Sequence, residues 1–555
     1  MPDVINRRPT EVMDVYVMGL NSRHGNLCMG TGWRERDILW EPRHNRLLST
    51  LDVVDMAIGN NHGLALTNTG MVHSWGANSS GALGREMNDQ WEPLDVLDAN
   101  PNGRTGPLVA TNVQEPRHID WSDIEPGTSF TQVAVSDHAS FALTETGQVY
   151  GWGAFEYLHT PELWLDERPR RYSAFHPQHA ENPDQEGRFQ PRPLKIRFPG
   201  TEDPQIVQIA CGSNHILALS KSGHVYSWGS PDLQILGRRL NFLKPRRRAA
   251  AVAAAAAAHE RADAARYPDD HPYTNMHSPF APGLVSNLKN IRYIACGAHF
   301  SFAVSKPLTR GPRKGLQVCY AWGQNDELQT ALPLSKSVFL DHPLVPNRGT
   351  RVILYPEEVP WLSNIGHMLD EPETAIKQIS GSIRYALAVR ENGWGDAWGN
   401  EHEVPYAMGV VDGNNEPVVP AVTPGNRWGS APTFGGFQHM REGVRWKRVA
   451  TGKTHTIALD GDGRVFVCGK NDQGQCGVET GPSGPVDGIH RIRRPTLLTR
   501  CHDIRIPGVV QALEGKIAIF AGAGENHSVL GFVRDRHGHV ASPEFAEGEF
   551  EVGGN

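Results

Sequence analysis

One short pattern constrains this chain more than any other. The segment ACGSNHILALSKSGHVYSWG, Ala210 to Gly229, holds two apolar stretches around a Ser-Gly turn and closes on Trp-Gly. Its relatives recur in order. IGNNHGLALTNTGMVHSWG ends at Gly76, AVSDHASFALTETGQVYGWG at Gly153, ISGSIRYALAVRENGWGDAWG at Gly399 and ATGKTHTIALDGDGRVFVCG at Gly469. ACGAHFSFAVS and VCYAWG, ending at Gly323, form one more copy with a basic insert in its turn. Two half-copies flank these: DVYVMG (Asp14 to Gly19) is a closing strand alone, and FAGAGENHSVLGFV (Phe520 to Val533) is the arm that lacks one. A repeated hairpin cannot bury both faces by itself, so neighbours must stack. Joining the two half-copies would shut the stack into a ring and remove its open edges.

The closing glycines are 57, 77, 76, 94, 76 and 70 residues apart. The hairpins keep their length, so the variation falls in the connections. With 555 residues, 58 Gly, 40 Pro and 8% aromatics, the chain suits many turns and short strands. The expected fold is all-β: a seven-bladed β-propeller of four-stranded antiparallel blades, closed by N- and C-terminal strands in one blade. The expected layout is a short tail over 1–12, a propeller over 13–535 with long inserts at about 154–191 and 241–280, and an acidic tail over 536–555.

Gly70, Gly147, Gly223 and Gly463 sit where hairpin turns need positive φ. The closing glycines are read as points of close packing near the middle of the ring. His62, His215, His455 and His527 recur once per repeat on separate blades, which favours packing and hydrogen bonding over a metal site. The seven cysteines are scattered without a C-x-x-C pair and read as buried free thiols of a reducing compartment. The N-terminus MPDVINRRPTEV has no signal-peptide core, and no apolar run approaches a membrane span. A formal net charge of -7 implies no bulk attraction to nucleic acid. GAGENH (Gly522 to His527) follows a repeat strand without the helix that phosphate binding needs. No catalytic motif or metal-ligand spacing is present, so neither a conventional active site nor a cofactor is expected.

The hairpins, the seven closing strands and the split terminal blade resemble the regulator of chromosome condensation family of seven-bladed propellers. GANSSGALGRE (Gly76 to Glu86), QILGRRL (Gln234 to Leu240) and ACGAHFSFAVS (Ala295 to Ser305) carry the resemblance further, toward its chromatin-bound Ran exchange factors. That resemblance implies a nuclear guanine-nucleotide exchange factor for the Ran GTPase, acting by binding and making no covalent bond. Nucleocytoplasmic transport and the cell cycle are the processes implied. The implied partners are Ran and the histones and DNA of the nucleosome, with no membrane and a monomeric chain. The alternative is a propeller scaffold or adaptor, such as a ubiquitin-ligase substrate receptor, without exchange activity.

The resemblance also implies a GTPase-binding face. Asp137 and His138 match its third repeat. Asn214 stands where the family usually has Asp, and Arg384 where it usually has His. Asn keeps the shape of Asp without its charge, and Arg brings a permanent charge and a larger donor fork. A wedge is implied in the connection after Gly153, where Glu156, Arg168, Arg170 and Arg171 lie; a solvated loop is the plainer reading. Lys244, Arg246, Arg247 and Arg248 precede an alanine-rich run and read either as a nuclear import or phosphate-contacting patch or as part of a spacer. The basic turn LTRGPRKG (Leu308 to Gly315), with Arg7 and Arg8, reads either as a contact for DNA or an acidic nucleosome surface or as a solvated loop, and the resemblance implies that the propeller's other face holds chromatin.

Overall fold

In the computed structural model each hairpin becomes the inner part of a blade. The structure describes residues 4–22, 25–30, 38–78, 81–85, 91–92, 109–110, 114–155, 190–199, 204–230, 233, 235–238, 281–341, 349–360, 362–363, 375–393, 395–399, 444–478, 491–498, 500–502, 510–513 and 515–534. Seven blade sheets are present, with one separate two-stranded ribbon, Trp91–Glu92 with Val109–Ala110. Counted by repeat, the closing blade is the first and the hairpin ending at Gly76 belongs to the second.

The first strand of each hairpin lies innermost. These strands are Val53–Ile58, Phe130–Val135, Ile206–Cys211, Ile291–Cys296, Ile376–Gly381, Trp446–Thr451 and Ala518–Ala523. Each packs against its counterparts on both sides, and Ala518–Ala523 returns to Val53–Ile58, so the ring is closed. The closing blade is built from both ends of the chain. Met13–Leu20 pairs antiparallel with His527–Val533, in register from Met13 opposite Val533 to Gly19 opposite His527. On its other side it pairs with Ile38–His44.

The second strands explain why these segments are apolar without interruption. HGLALT, ASFALT, HILALS, FSFAVS and HTIALD are buried along their whole length, because each is covered by a neighbouring blade on either side. Such doubly covered strands lose the alternation of a sheet with one wet face.

The inner strands are also tied by side chains. Gln132 Nε2 donates to the Ile209 carbonyl (2.9 Å) and its Oε1 accepts from the Ile209 N–H (3.0 Å). Gln208 bridges Ile294, and Gln378 bridges Val449, in the same way. In the fifth blade the Tyr293 hydroxyl does both jobs, donating to Ile379 O and accepting from Ile379 N–H. These straps satisfy peptide groups on the free edge of four inner strands, which faces the axis and would otherwise leave them unpaired.

The closing glycines correct one expectation. Gly19, Gly76, Gly153, Gly229, Gly323, Gly399 and Gly469 lie on the third strand from the axis, not near the ring's middle. All have φ between +92° and +132°. A Cβ on any of them would meet the carbonyl oxygen of the turn residue opposite, such as His138 O for Gly153 and Asn214 O for Gly229. That approach allows the next residue to donate to the same carbonyl: Ala154 N–H to His138 O (3.0 Å), Ser230 N–H to Asn214 O (2.7 Å). The hairpin-turn glycines Gly70, Gly147, Gly223 and Gly463 have φ of +77° to +85°, as expected.

The outermost strands vary. Gln190–Lys195, Gly283–Leu284 and Arg491–Leu497 complete their blades as fourth strands. In the fifth blade Gly349–Glu358 is followed outward by Val338–Asp341. The closing blade is extended by Arg500–His502 and Val510–Ala512. The sixth blade has three described strands.

Candidate binding faces of the propeller

Antiparallel strands send successive turns to opposite ends of a blade. The turn between the first and second strands therefore defines one face, and the turn between the second and third defines the other. The first face carries a repeated four-residue turn. The N–H of its first residue donates to the carbonyl of its last: Gly59 to His62, Ser136 to Ala139, Gly212 to His215, Gly297 to Phe300, Ser382 to Tyr385, Gly452 to His455 and Gly524 to His527. The Gly-x-x-His spacing has a packing cause. A Cβ at Gly212, Gly452 or Gly524 would strike the ring of the His three residues on, and Gly297 makes the same room for Phe300.

The histidines fasten blade to blade. His62 Nε2 lies 2.9 Å from Ser140 Oγ, His215 Nε2 2.8 Å from Ser301 Oγ, and His455 Nε2 2.7 Å from Ser528 Oγ, each serine on the next blade. Tyr385 fills the position in the sixth blade, its hydroxyl donating to His455 O (2.9 Å). Burial lowers the pKa of His62, His215 and His455 to about 3, so the rings are neutral near pH 7. Among the described residues no group of His, Cys, Asp or Glu is placed to hold a metal ion.

The turns are also linked directly. Asp137 N–H donates to Ser213 O (3.0 Å), Ser213 N–H to Ala298 O (2.9 Å), and Ala298 N–H to Ser382 O (2.9 Å). Ser382 Oγ then donates to Gly452 O (2.7 Å), and Lys453 N–H to Gly524 O (3.1 Å). The two central residues of each turn thus sit on a hydrogen-bonded collar around the axis. A rigid collar presents its side chains in fixed positions, which is what recognition of a protein surface requires.

Four of the expected face residues lie on this collar. Asp137 and His138 are the central pair of the third turn and are half-buried. Asp137 Oδ1 accepts from Asn60 Nδ2 of the preceding blade (2.7 Å). Asn214, half-buried, belongs to the adjacent turn, and Arg384, exposed, sits two blades further on. Their register differs. Gly153 pairs with Ala139, Gly229 with His215 and Gly399 with Tyr385. His138 is therefore the counterpart of Asn214 and Arg384, while Asp137 stands one position earlier. The collar also holds residues that the sequence reading passed over: Asn60, and the Lys453–Glu525 ion pair joining the seventh and closing blades. The repeated four-residue spacing was their signal.

Glu156, Arg168, Arg170, Arg171, Lys244, Arg246, Arg247 and Arg248 lie outside the described residues. The chain leaves the third blade at Gly153 and returns at Gln190, and leaves the fourth at Gly229 and returns at Gly283, so both connections start and end on the collar face. The 308–315 loop lies on the opposite face, largely exposed, with Arg313 paired to Glu358. The segment around Arg7 and Arg8 crosses that same face: Asn6 Nδ2 donates to Thr144 O and Ile206 O, and Arg8 Nη1 to Ser129 Oγ (2.7 Å).

The structure gives the longer shared phrases a packing role. In GANSSGALGRE, Ala82 O accepts from Trp152 Nε1 of the next blade (2.9 Å), and Gly84 leaves room for that indole. In QILGRRL, Ile235 O and Gly237 receive Trp322 in the same way. In ACGAHFSFAVS, Gly297 accommodates Phe300 and Ser301 receives His215. These residues specify the ring, and the collar is where a partner would be chosen.

The sequence pattern of the RCC1-like domain matches residues 14–530. Protein pim1 of Schizosaccharomyces pombe is 28% identical over 524 residues, 93% of this chain and 75% of its own length. Guanine nucleotide exchange factor SRM1 of Saccharomyces cerevisiae is 29% identical over 250 residues, 42% of this chain and 46% of its own. Among solved structures, Prp20p from Saccharomyces cerevisiae, described with its binding properties to Gsp1p and histones, superposes with a TM-score of 0.63 at 21% identity, covering 96% of this chain and 93% of that one. A match that runs from residue 14 to residue 530, nearly the whole ring, makes this chain a member of the RCC1-like domain family.

Proposed function

We propose that this protein is a guanine-nucleotide exchange factor for the Ran GTPase, working from the collar face and located on chromatin in the nucleus. The observation that carries the reading is a juxtaposition. The fixed turn residues Asp137, His138, Asn214 and Arg384 share one face with both ends of the long 154–189 connection. Family membership and the exchange activity named for SRM1 support it, as do the Gsp1p and histone binding named for Prp20p.

Exchange needs no covalent chemistry. A partner that binds the GTPase best when its nucleotide is absent must, by linkage, weaken nucleotide binding by the same factor. A loosening of roughly 10⁵ corresponds to about 7 kcal/mol of differential binding. A rigid polar collar and a displacing segment are means of supplying it. The collar serves orientation, since its turns are tied to one another by backbone hydrogen bonds before the partner arrives. In the same reading the connection containing Glu156, Arg168, Arg170 and Arg171 is the wedge, the Lys244–Arg248 stretch a nuclear import signal, and the opposite face the one turned to nucleosomes.

The test is release of a fluorescent GDP analogue from purified Ran with the full chain. A rate unchanged at stoichiometric protein removes the proposal. One observation favours a second reading, a scaffold without exchange activity: the phrases most like the exchange factors are packing residues. Affinity capture from nuclear extract separates the two, with Ran and histones expected for exchange and ligase components for the scaffold.

A further inference from the structure

A second site lies on the face away from the collar, among the sixth, seventh and closing blades. The inner strands begin on that face, and their second residues share one register position. In order these are Val54, Thr131, Val207, Arg292, Lys377, Lys447 and Ile519. Three successive blades thus carry a cation at a register position that is neutral everywhere else. Lys377, Gln378, Lys447, Arg448, Leu459 and Ile519 line a cavity of about 300 Å³ there. We propose that this cavity binds a small phosphate-dense anion, held by Lys377, Lys447 and Arg448.

Three features support a ligand rather than a solvated surface. Lys377 and Lys447 are exposed, yet neither has an ion pair or side-chain hydrogen bond among the described residues. Arg390 and Arg464, on the hairpins of the same two blades, are by contrast paired to Asp396 and Asp460. Arg448 is held in place, its guanidinium 4.7 Å from the Phe520 ring centroid and its Nη1 3.5 Å from Ile519 O. An anchored guanidinium offers a planar donor fork, and two ammonium groups add mobile point charges. Leu459 and Ile519 give the cavity an apolar wall, which strengthens charge interactions inside it.

The local field is also opposite to that of the whole chain. The protein carries a net charge of -7, but exposed Lys306, Arg310 and Lys314 of the 306–315 segment extend the positive sector on the same face. Asp55 lies within electrostatic reach of Arg448; burial raises the pKa of its carboxyl and Arg448 pulls it back. Among the described residues that line the cavity, three are cations and none is a carboxylate. A multiply charged phosphate compound matches that excess in a volume too small for a folded partner.

Inositol hexakisphosphate and inorganic pyrophosphate are the probes, titrated calorimetrically into the full chain at moderate salt. The expected result is binding that weakens at least tenfold in a Lys377→Gln/Lys447→Gln variant and stays within twofold in Lys306→Gln/Lys314→Gln. A second measurement avoids variants altogether. The probe should protect Lys377 and Lys447, but not Lys306 and Lys314, from amine acetylation read by mass spectrometry. Three outcomes overturn the proposal: no binding of either probe, equal loss in both variants, or equal protection of all four lysines. Displacement of the probe by a short DNA duplex that itself loses affinity in Lys377→Gln/Lys447→Gln also overturns it, assigning the cavity to nucleic acid.

Discussion

The indole N–H of Trp152 donates to the carbonyl of Ala82 on the preceding blade, 2.9 Å away, and the Cα of Gly84 lies under the same ring. Trp322 repeats the bond with Ile235 over Gly237. A Cβ at Gly84 would lie 2.6 Å from the indole nitrogen, at a φ of +63°. Gly84→Ala therefore combines a steric clash with an unfavourable backbone conformation. A loss of about 2–4 kcal/mol is expected in denaturant unfolding. Trp152→Phe removes one of the two donors to Ala82 O, Ser140 Oγ remaining at 2.8 Å, and leaves a void where the larger ring packed; it should cost about 1–2 kcal/mol. A Gly84→Ala protein as stable as the parent would refute this account of the motif.

The buried histidines make stability depend on pH in one direction. In the unfolded chain they take up protons below about pH 6.5. In the ring, burial holds His62, His215 and His455 down at about 3, and His527 at about 4. The folded-state values are depressed, so the stabilisation is complete above pH 6.5 and is lost as pH falls toward 4 and then 3. The slope reaches at most about 1.4 kcal/mol per pH unit for each histidine. The melting midpoint should fall steadily from pH 7 to pH 5, and His455→Gln should flatten that fall. A midpoint constant over this range contradicts the expectation.

Ring closure has its own clamp. Arg534 follows the last strand and reaches the first: its Nε donates to Asp14 Oδ1 (2.9 Å), and its other nitrogens bond Asp52, the Met13 carbonyl and the Ser49 carbonyl. The guanidinium is partly exposed, which screens the ion pairs, but two of its acceptors are peptide carbonyls. Arg534→Ala should cost about 1–2 kcal/mol. It should also speed proteolytic cleavage near the N-terminal strand more than elsewhere, because Met13–Leu20 is held to the rest by this junction. Uniform cleavage along the chain would show that closure does not depend on the clamp.

The hairpins and the joined ends were legible because they rest on local chemistry. A positive φ needs Gly70 or Gly147, and a ring over Gly212 needs His215, whatever the blade's neighbours are. The straps of Gln132, Gln208 and Gln378 were not legible. Each is one polar residue in an apolar strand, and its partner is about 70 to 90 residues away until the ring closes. The third collar turn misled for a related reason. Ala139 occupies the usual His position and a His precedes it, so sequence alone placed Asp137 beside Asn214 and Arg384 instead of one residue earlier. The outer strands, such as Gln190–Lys195, have no shared motif because nothing but one neighbouring strand constrains them.

Asn214 offers the sharpest test of the collar as an exchange surface. Its carbonyl is fixed by the Ser230 N–H, and its half-buried side chain stands on the turn next to Asp137. Asn214→Asp changes charge with almost no change in shape, so the fold should persist with an unchanged melting midpoint at pH 7. If a cationic region of the GTPase meets this part of the collar, the added carboxylate favours the nucleotide-free complex. About 1.4 kcal/mol would then raise nucleotide release tenfold. The gain should shrink as salt increases, since a charge contact at a half-exposed site is screened. Release measured by stopped flow at low and high salt gives both numbers. A rate that falls, or a rise indifferent to salt, would separate Asn214 from the nucleotide-release step and move the exchange contacts elsewhere on the collar.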